Sequence, residues 1–82
     1  MLSAEQLKKM AFQLSASLDR ATRMDMLIVF SGKNSSSVQA DQLKIIVAQK
    51  LKIDPNDAEA LIKEYLSKLS VYDQELYKEF FG

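Results

Sequence analysis

Oxygen-bearing side chains are crowded between Ser31 and Gln42, in the run Ser31-Gly-Lys-Asn-Ser-Ser-Ser-Val-Gln-Ala-Asp-Gln42. Hydroxyls and amides of this kind can ligate a hard cation or, beside a base, act as nucleophiles. Neither chemistry is completed here. A hard cation takes about six to eight oxygens, several of them carboxylate, and the only acid in the run is Asp41, with Lys33 adding an unwanted positive charge. The chain holds no histidine and no cysteine, so the serines have no imidazole partner and no thiolate metal site can form. Glu59 and Lys63 stand at the spacing of an exposed helical ion pair, and Asp73 with Tyr77 is likewise surface spacing. No glycine-rich phosphate loop or acidic cluster appears. The expectation is a chain that is not an enzyme and carries no cofactor and no metal.

Bulk properties narrow the class further. With 82 residues, 48% of them hydrophobic and 27% charged, the chain makes a single helical domain, 1–82, with a small core whose modest stability a partner could raise. Eleven basic and eleven acidic side chains cancel, whereas nucleic-acid binders carry a basic excess that neutralises phosphate. No nucleic acid is expected as a partner. The longest apolar run, Met26 to Phe30, is far short of the roughly 20 residues of a membrane span. Glu5, Lys8 and Lys9 interrupt any signal-peptide pattern at the N-terminus. A cytoplasmic protein with no membrane span is the expectation.

Periodicity and breakers give the elements that must position any site. Ser3-Ala4-Glu5-Gln6 fits a capping box. Leu7, Met10, Ala11, Leu14, Leu18 and Ala21 then follow at helical spacing, with Phe12 as an apolar exception on the polar side. The stripe continues through Met24 and Ile28, so one rod to about Ser31 is conceivable. A bend between Asp19 and Asp25 suits a domain of this size better. Gly32 stops the helix, and Lys33 to Ser37 is a polar linker. The next helix runs from about Gln39 to Leu51. Asp54-Pro55-Asn56-Asp57 restarts the chain, with Asp54 as N-cap and Pro55 at the first helical position. Ala58, Leu61, Ile62, Tyr65, Leu66 and Leu69 form the next stripe. Ser70 is read as the cap of a short last helix bearing Leu76, Tyr77, Phe80 and Phe81. Nothing reads as a strand. The fold class is all-α, with four to five helices.

The order apolar helix, polar stretch with one β-branched residue, then helix opening on an apolar residue occurs at Met26 to Leu43 and, less clearly, near Ser70-Val71-Tyr72-Asp73-Gln74-Glu75-Leu76. This layout resembles a degenerate EF-hand pair, similar to a single-lobe myosin light chain or a calmodulin-like half-protein. With Ser31 at the first loop position, Val38 falls at the eighth and Gln42 at the twelfth. Aligning Val71 at the eighth position of a second loop puts Leu66, Lys68 and Leu69 where ligands and the turn glycine belong, and Glu75 at the twelfth. The resemblance covers 22–81 as an EF-hand-like pair, preceded by an N-terminal amphipathic helix over 1–21 that a minimal pair does not contain. The ligand-bearing residues are the ones missing, so any conformation is set by packing and not by calcium.

What the resemblance implies is a non-catalytic, calcium-independent protein-binding module of light-chain type, whose partner is an amphipathic helical segment of another protein. Its groove positions correspond to Leu27, Val47, Leu51, Leu61, Leu66 and Phe80, each of which also suits a core. Val38 and Val71 would exchange backbone hydrogen bonds between the loops. The N-terminal helix would lie in the groove or pack behind it. The alternative is a small helical-bundle adaptor, or an assembly subunit that forms a homo-oligomer through Phe80-Phe81, unrelated to EF-hands. A helix-turn-helix reading of Leu43 to Tyr65 is weaker, because its reading helix would carry Asp57, Glu59 and Glu64 against Lys63 and Lys68.

Overall fold

In a computed structural model, residues 1–31 and 38–82 are described. The helix stop expected at Gly32 and the linker expected over Lys33 to Ser37 lie outside the described residues. The elements are α1 (Ala4–Ser17), α2 (Arg20–Ser31), α3 (Val38–Leu51), α4 (Pro55–Ser67), α5 (Leu69–Tyr72) and α6 (Gln74–Phe81). The described residues are all-helical, with no strand, and the last third of the chain is cut more finely than the four to five helices expected.

Local chemistry explains most of these boundaries. The Ser3 hydroxyl accepts from the Gln6 amide at 3.2 Å, and the Gln6 side chain accepts from the Ser3 amide at 2.9 Å, closing the predicted capping box. The bend falls at Leu18-Asp19. There the Asp19 carboxylate accepts from the Thr22 amide at 2.8 Å and starts α2, and hydrogen bonding to Thr22 holds that carboxyl below its ordinary value. Ala21 accordingly sits in the second helix and is exposed, off the buried stripe of α1. Asp54 caps α4 by accepting from the Asn56 amide at 2.8 Å, with Pro55 in the first turn. At the end of α3, Lys52 takes a left-handed conformation with φ 58°, and the Ile53 amide donates to the Ala48 carbonyl at 2.9 Å. That six-to-one bond is the Schellman closure, here built without glycine.

The core is centred on α4, against which α1 and α3 both pack, with α2 laid on α3 and α4. Ala58, Leu61, Ile62 and Tyr65 of α4 are wholly buried, at the i, i+3, i+4, i+7 positions of one helical face. They meet Ala11 and Leu14 of α1, Leu18 just past its end, Met26, Leu27 and Val29 of α2, and Ala40, Leu43 and Val47 of α3 in one cluster. Burying each large aliphatic side chain contributes about 1.5–3 kcal/mol. The N-terminal helix α1 packs on α4 and α5. Phe12, outside the stripe, stacks edge-on against Tyr72 with ring centroids 4.7 Å apart. Lys44 bridges α3 to α4 by reaching Glu59 at 3.3 Å while also touching Asp41 at 3.6 Å.

One boundary departs from the sequence expectation. Ser70 does not cap the last helix; it lies inside the single turn of α5. Asp73 does the capping, its carboxylate accepting from the Leu76 amide at 3.2 Å.

Candidate functional site

The Asp73 cap is tied to the core by more than its own helix. Its Oδ2 accepts from the Tyr65 hydroxyl of α4 at 2.5 Å and from Arg23 Nη1 of α2 at 2.5 Å. Arg23 Nε in turn donates to the Leu18 carbonyl at 3.1 Å, at the end of α1. One carboxylate, 5% exposed, thus fixes α6 relative to α1, α2 and α4. Burial pushes its pKa up, but the Tyr65 and Arg23 hydrogen bonds, the Leu76 amide and the Arg23 charge outweigh that, and the carboxyl titrates below the usual aspartate range. Tyr65 responds in the opposite sense: burial, then its bond to Asp73, raises the phenol above its ordinary value. Beside this cluster, the Tyr72 hydroxyl donates to Glu64 at 2.5 Å, which pushes its pKa up to about 12. Both carboxylate oxygens of Asp73 are engaged, which makes the cluster a tie between α2, α4 and α6.

What the tie positions is α6. Its apolar residues Leu76, Tyr77, Phe80 and Phe81 share one face, yet only Leu76 is buried. Tyr77, Phe80 and Phe81 remain 41%, 43% and 59% exposed. Their rings lean on one another, with centroids 5.0 Å apart in both the Tyr77–Phe81 and Phe80–Phe81 pairs. Between this aromatic face and α2 runs an open groove of about 600 Å³. Leu27, Leu66 and Leu69 supply its apolar lining, Phe30, Tyr77 and Phe81 its aromatic lining, and Ser31, Ser67 and Ser70 its hydroxyls. Lys63 is the one charged residue that lines it among the described residues. No residue of α1 contributes. Among the described residues, no group of acidic side chains could hold a metal ion.

The structure sorts the six groove residues expected from sequence into three fates. Leu27 and Leu66 both line the groove. Phe80 is exposed next to Phe81 on the same helix face. Val47 and Leu61 are fully buried, and Leu51 is half-buried against the core. These three side chains contribute to the core cluster and do not line the groove between α2 and α6. Leu27, though at the groove, is itself 3% exposed and forms its floor.

The expected pairing of Val38 with Val71 is also absent from the described residues. Val38 opens α3 and Val71 lies within α5, its amide bonded to the Lys68 carbonyl at 2.9 Å. Both side chains are exposed. The helical turn from Lys68 to Tyr72 takes up the Val71 amide that a bridge between loops would have used.

The Arg23–Tyr65–Asp73 tie was not anticipated from the sequence. Two signals pointed toward it: a tyrosine in the middle of an apolar stripe needs a partner for its hydroxyl, and Asp-Gln-Glu-Leu is a fair helix opening. Comparison of the chain with protein-family models, with curated proteins and with solved structures gave no match. The family resemblance noted from the loop pattern therefore rests on the sequence alone.

Proposed function

We propose that this chain is a non-catalytic protein-binding module that seats an amphipathic helical segment of another protein in the groove between α2 and α6. The observation that carries the reading is the aromatic face of α6, whose helix is started by the Asp73 cap and whose rings are left uncovered. Exposed aromatics set in a groove are the usual anchors of helix recognition. Serine hydroxyls and Lys63 among the lining favour an occupant whose apolar residues recur at helical spacing and whose flank carries carboxylates. Recognition is calcium-independent in this proposal, since packing and not ligation sets the groove. The light-chain-like role inferred from the loop pattern is the same activity in a more specific form, with the contact set now Leu27, Phe30, Leu66, Leu69, Tyr77 and Phe81.

The chain contains no tryptophan, so a peptide bearing one reports its own binding without background. A panel of amphipathic helical peptides, with acidic, neutral or basic flanks around one apolar stripe, should show saturable binding led by the acidic member. Phe81→Ser should weaken that binding by roughly tenfold or more, in keeping with loss of an aromatic anchor. Adding calcium or a chelator should change nothing. Equal binding by wild type and Phe81→Ser, or binding that requires calcium, would overturn the proposal.

A further inference from the structure

Arginine occurs twice in the chain, at Arg20 and Arg23, beside nine lysines. Both lie in the first four residues of α2, and each meets a carboxylate from the end of the chain. Arg23 takes Asp73, the buried cap of α6. Arg20 takes Glu79, in the second turn of the same helix: its Nε donates to Glu79 Oε2 at 2.8 Å, and its Nη2 meets Oε1. This is the two-pronged pairing that a planar guanidinium makes with a carboxylate and a lysine cannot. Neither member of the Arg20–Glu79 pair is explained by its own helix. A helix is partially positive at its N-terminus and partially negative at its C-terminus. Arg20 opens α2 and Glu79 lies in the last turn of α6, so each charge stands at the end its own helix disfavours and becomes favourable only through the other. Little else holds the second turn of α6. Leu76, its only buried residue, is in the first turn, and Tyr77, Phe80 and Phe81 are exposed.

We infer that Arg20 and Glu79 form a latch that holds the second turn of α6 down on α2, with Asp73 as the fixed end about which α6 swings when the latch opens. The Arg23–Asp73 pair at that fixed end is shielded from solvent, whereas the Arg20–Glu79 pair is exposed, so water and salt compete for the latch and not for the anchor. An exposed ion pair is weak even when its geometry is good, so the latched state leads by only a small factor. The latch bears on the groove because Tyr77 and Phe81 line it from α6, opposite Leu27 and Phe30 of α2. Closing α6 sets those rings in place before a ligand arrives and lowers the ordering cost of binding. Arg20 and Glu79 do not line the groove; they are positioning residues. This consequence rests on the α6 groove being the binding site, while the latch itself does not.

Amide hydrogen exchange of the intact chain, without peptide, reads the latch directly. Glu79→Gln should speed exchange from Lys78 to Phe81 by roughly threefold and leave α4 unchanged. Helix electrostatics alone predicts the opposite, because the substitution removes an unfavourable charge from the end of α6. Arg20→Glu should also speed exchange in α6, by roughly threefold or more, although it suits the start of α2 better than arginine does. The double variant Arg20→Glu with Glu79→Arg restores the pair and should return exchange to the wild-type rate. High salt should speed exchange in the wild type and add nothing in Glu79→Gln. Affinity for the acidic-flanked peptide should follow the same order: a loss of roughly threefold in each single variant and recovery in the double one. Exchange in α6 that is unchanged or slower in Glu79→Gln overturns the latch, as does a double variant no better than the single ones. Faster exchange with unaltered peptide affinity overturns its role at the groove. A wild-type chain that binds no peptide, while the exchange pattern holds, removes the groove reading and supports the latch.

Discussion

Asp73 shows how one side chain can set the geometry of a surface it does not belong to. Its carboxylate is buried, ionised and bonded to three donors from three helices. Removing one partner of such a pair leaves the other desolvated and uncompensated. Asp73→Ala should accordingly cost about 3–5 kcal/mol in urea unfolding, and Tyr65→Phe about 1–3 kcal/mol. The pH dependence follows from the directions of the shifts. Because the folded carboxyl titrates below the unfolded value of about 3.9, its stabilisation is present above that pH and is lost as pH falls through the folded value. Tyr65 and Tyr72 are shifted upward. Their stabilisation is present below the unfolded tyrosine value of about 10 and fades as pH rises through the folded values. Urea midpoints measured across pH should fall at both ends, and Asp73→Asn should flatten the acid limb while Tyr65→Phe flattens part of the alkaline one.

Among the elements, those with their own start signals were readable directly: Ser3 with Gln6, and Asp54 with Pro55, work through bonds within three residues. The α4–α5–α6 region was not, because Ser70 and Asp73 are both good caps on local grounds. The choice between them is made by Tyr65 and by Arg23, which is 50 residues away from Asp73, beyond what any local pattern can encode. For the same reason periodicity could not separate Leu27 and Leu66, which line the open groove, from Val47, Leu51 and Leu61, equally apolar and equally spaced, which lie in or against the core. Burial depends on which helices meet, and periodicity alone does not state that. Two element-level consequences are measurable. Lys52 holds φ 58°, where a side chain is strained and glycine is not. Lys52→Gly should therefore stabilise the fold by about 0.5–1 kcal/mol in thermal or urea unfolding. Leu76 is the only buried residue of α6, so Leu76→Ala should cost about 2–4 kcal/mol and raise amide exchange in α6 ahead of α4.

Taken whole, the molecule divides its apolar surface into a core around α4 and two open faces, the aromatic groove and the exposed isoleucines Ile28, Ile45 and Ile46 of α2 and α3. Phe80 and Phe81 are exposed and add little to the fold. Replacing both with serine should change stability by less than about 0.5 kcal/mol, as expected for exposed positions, while abolishing peptide binding. No helix among the described residues is long and apolar enough to cross a membrane. The most direct measurement is amide chemical-shift mapping of the intact chain during titration with the acidic-flanked amphipathic peptide. Shifts concentrated at Phe30, Leu66, Leu69, Tyr77 and Phe81, with Ile45 and Ile46 unmoved, are the predicted result. A peptide that moves only the α2–α3 face, or none of these resonances, would contradict the assignment of the α6 groove as the binding site.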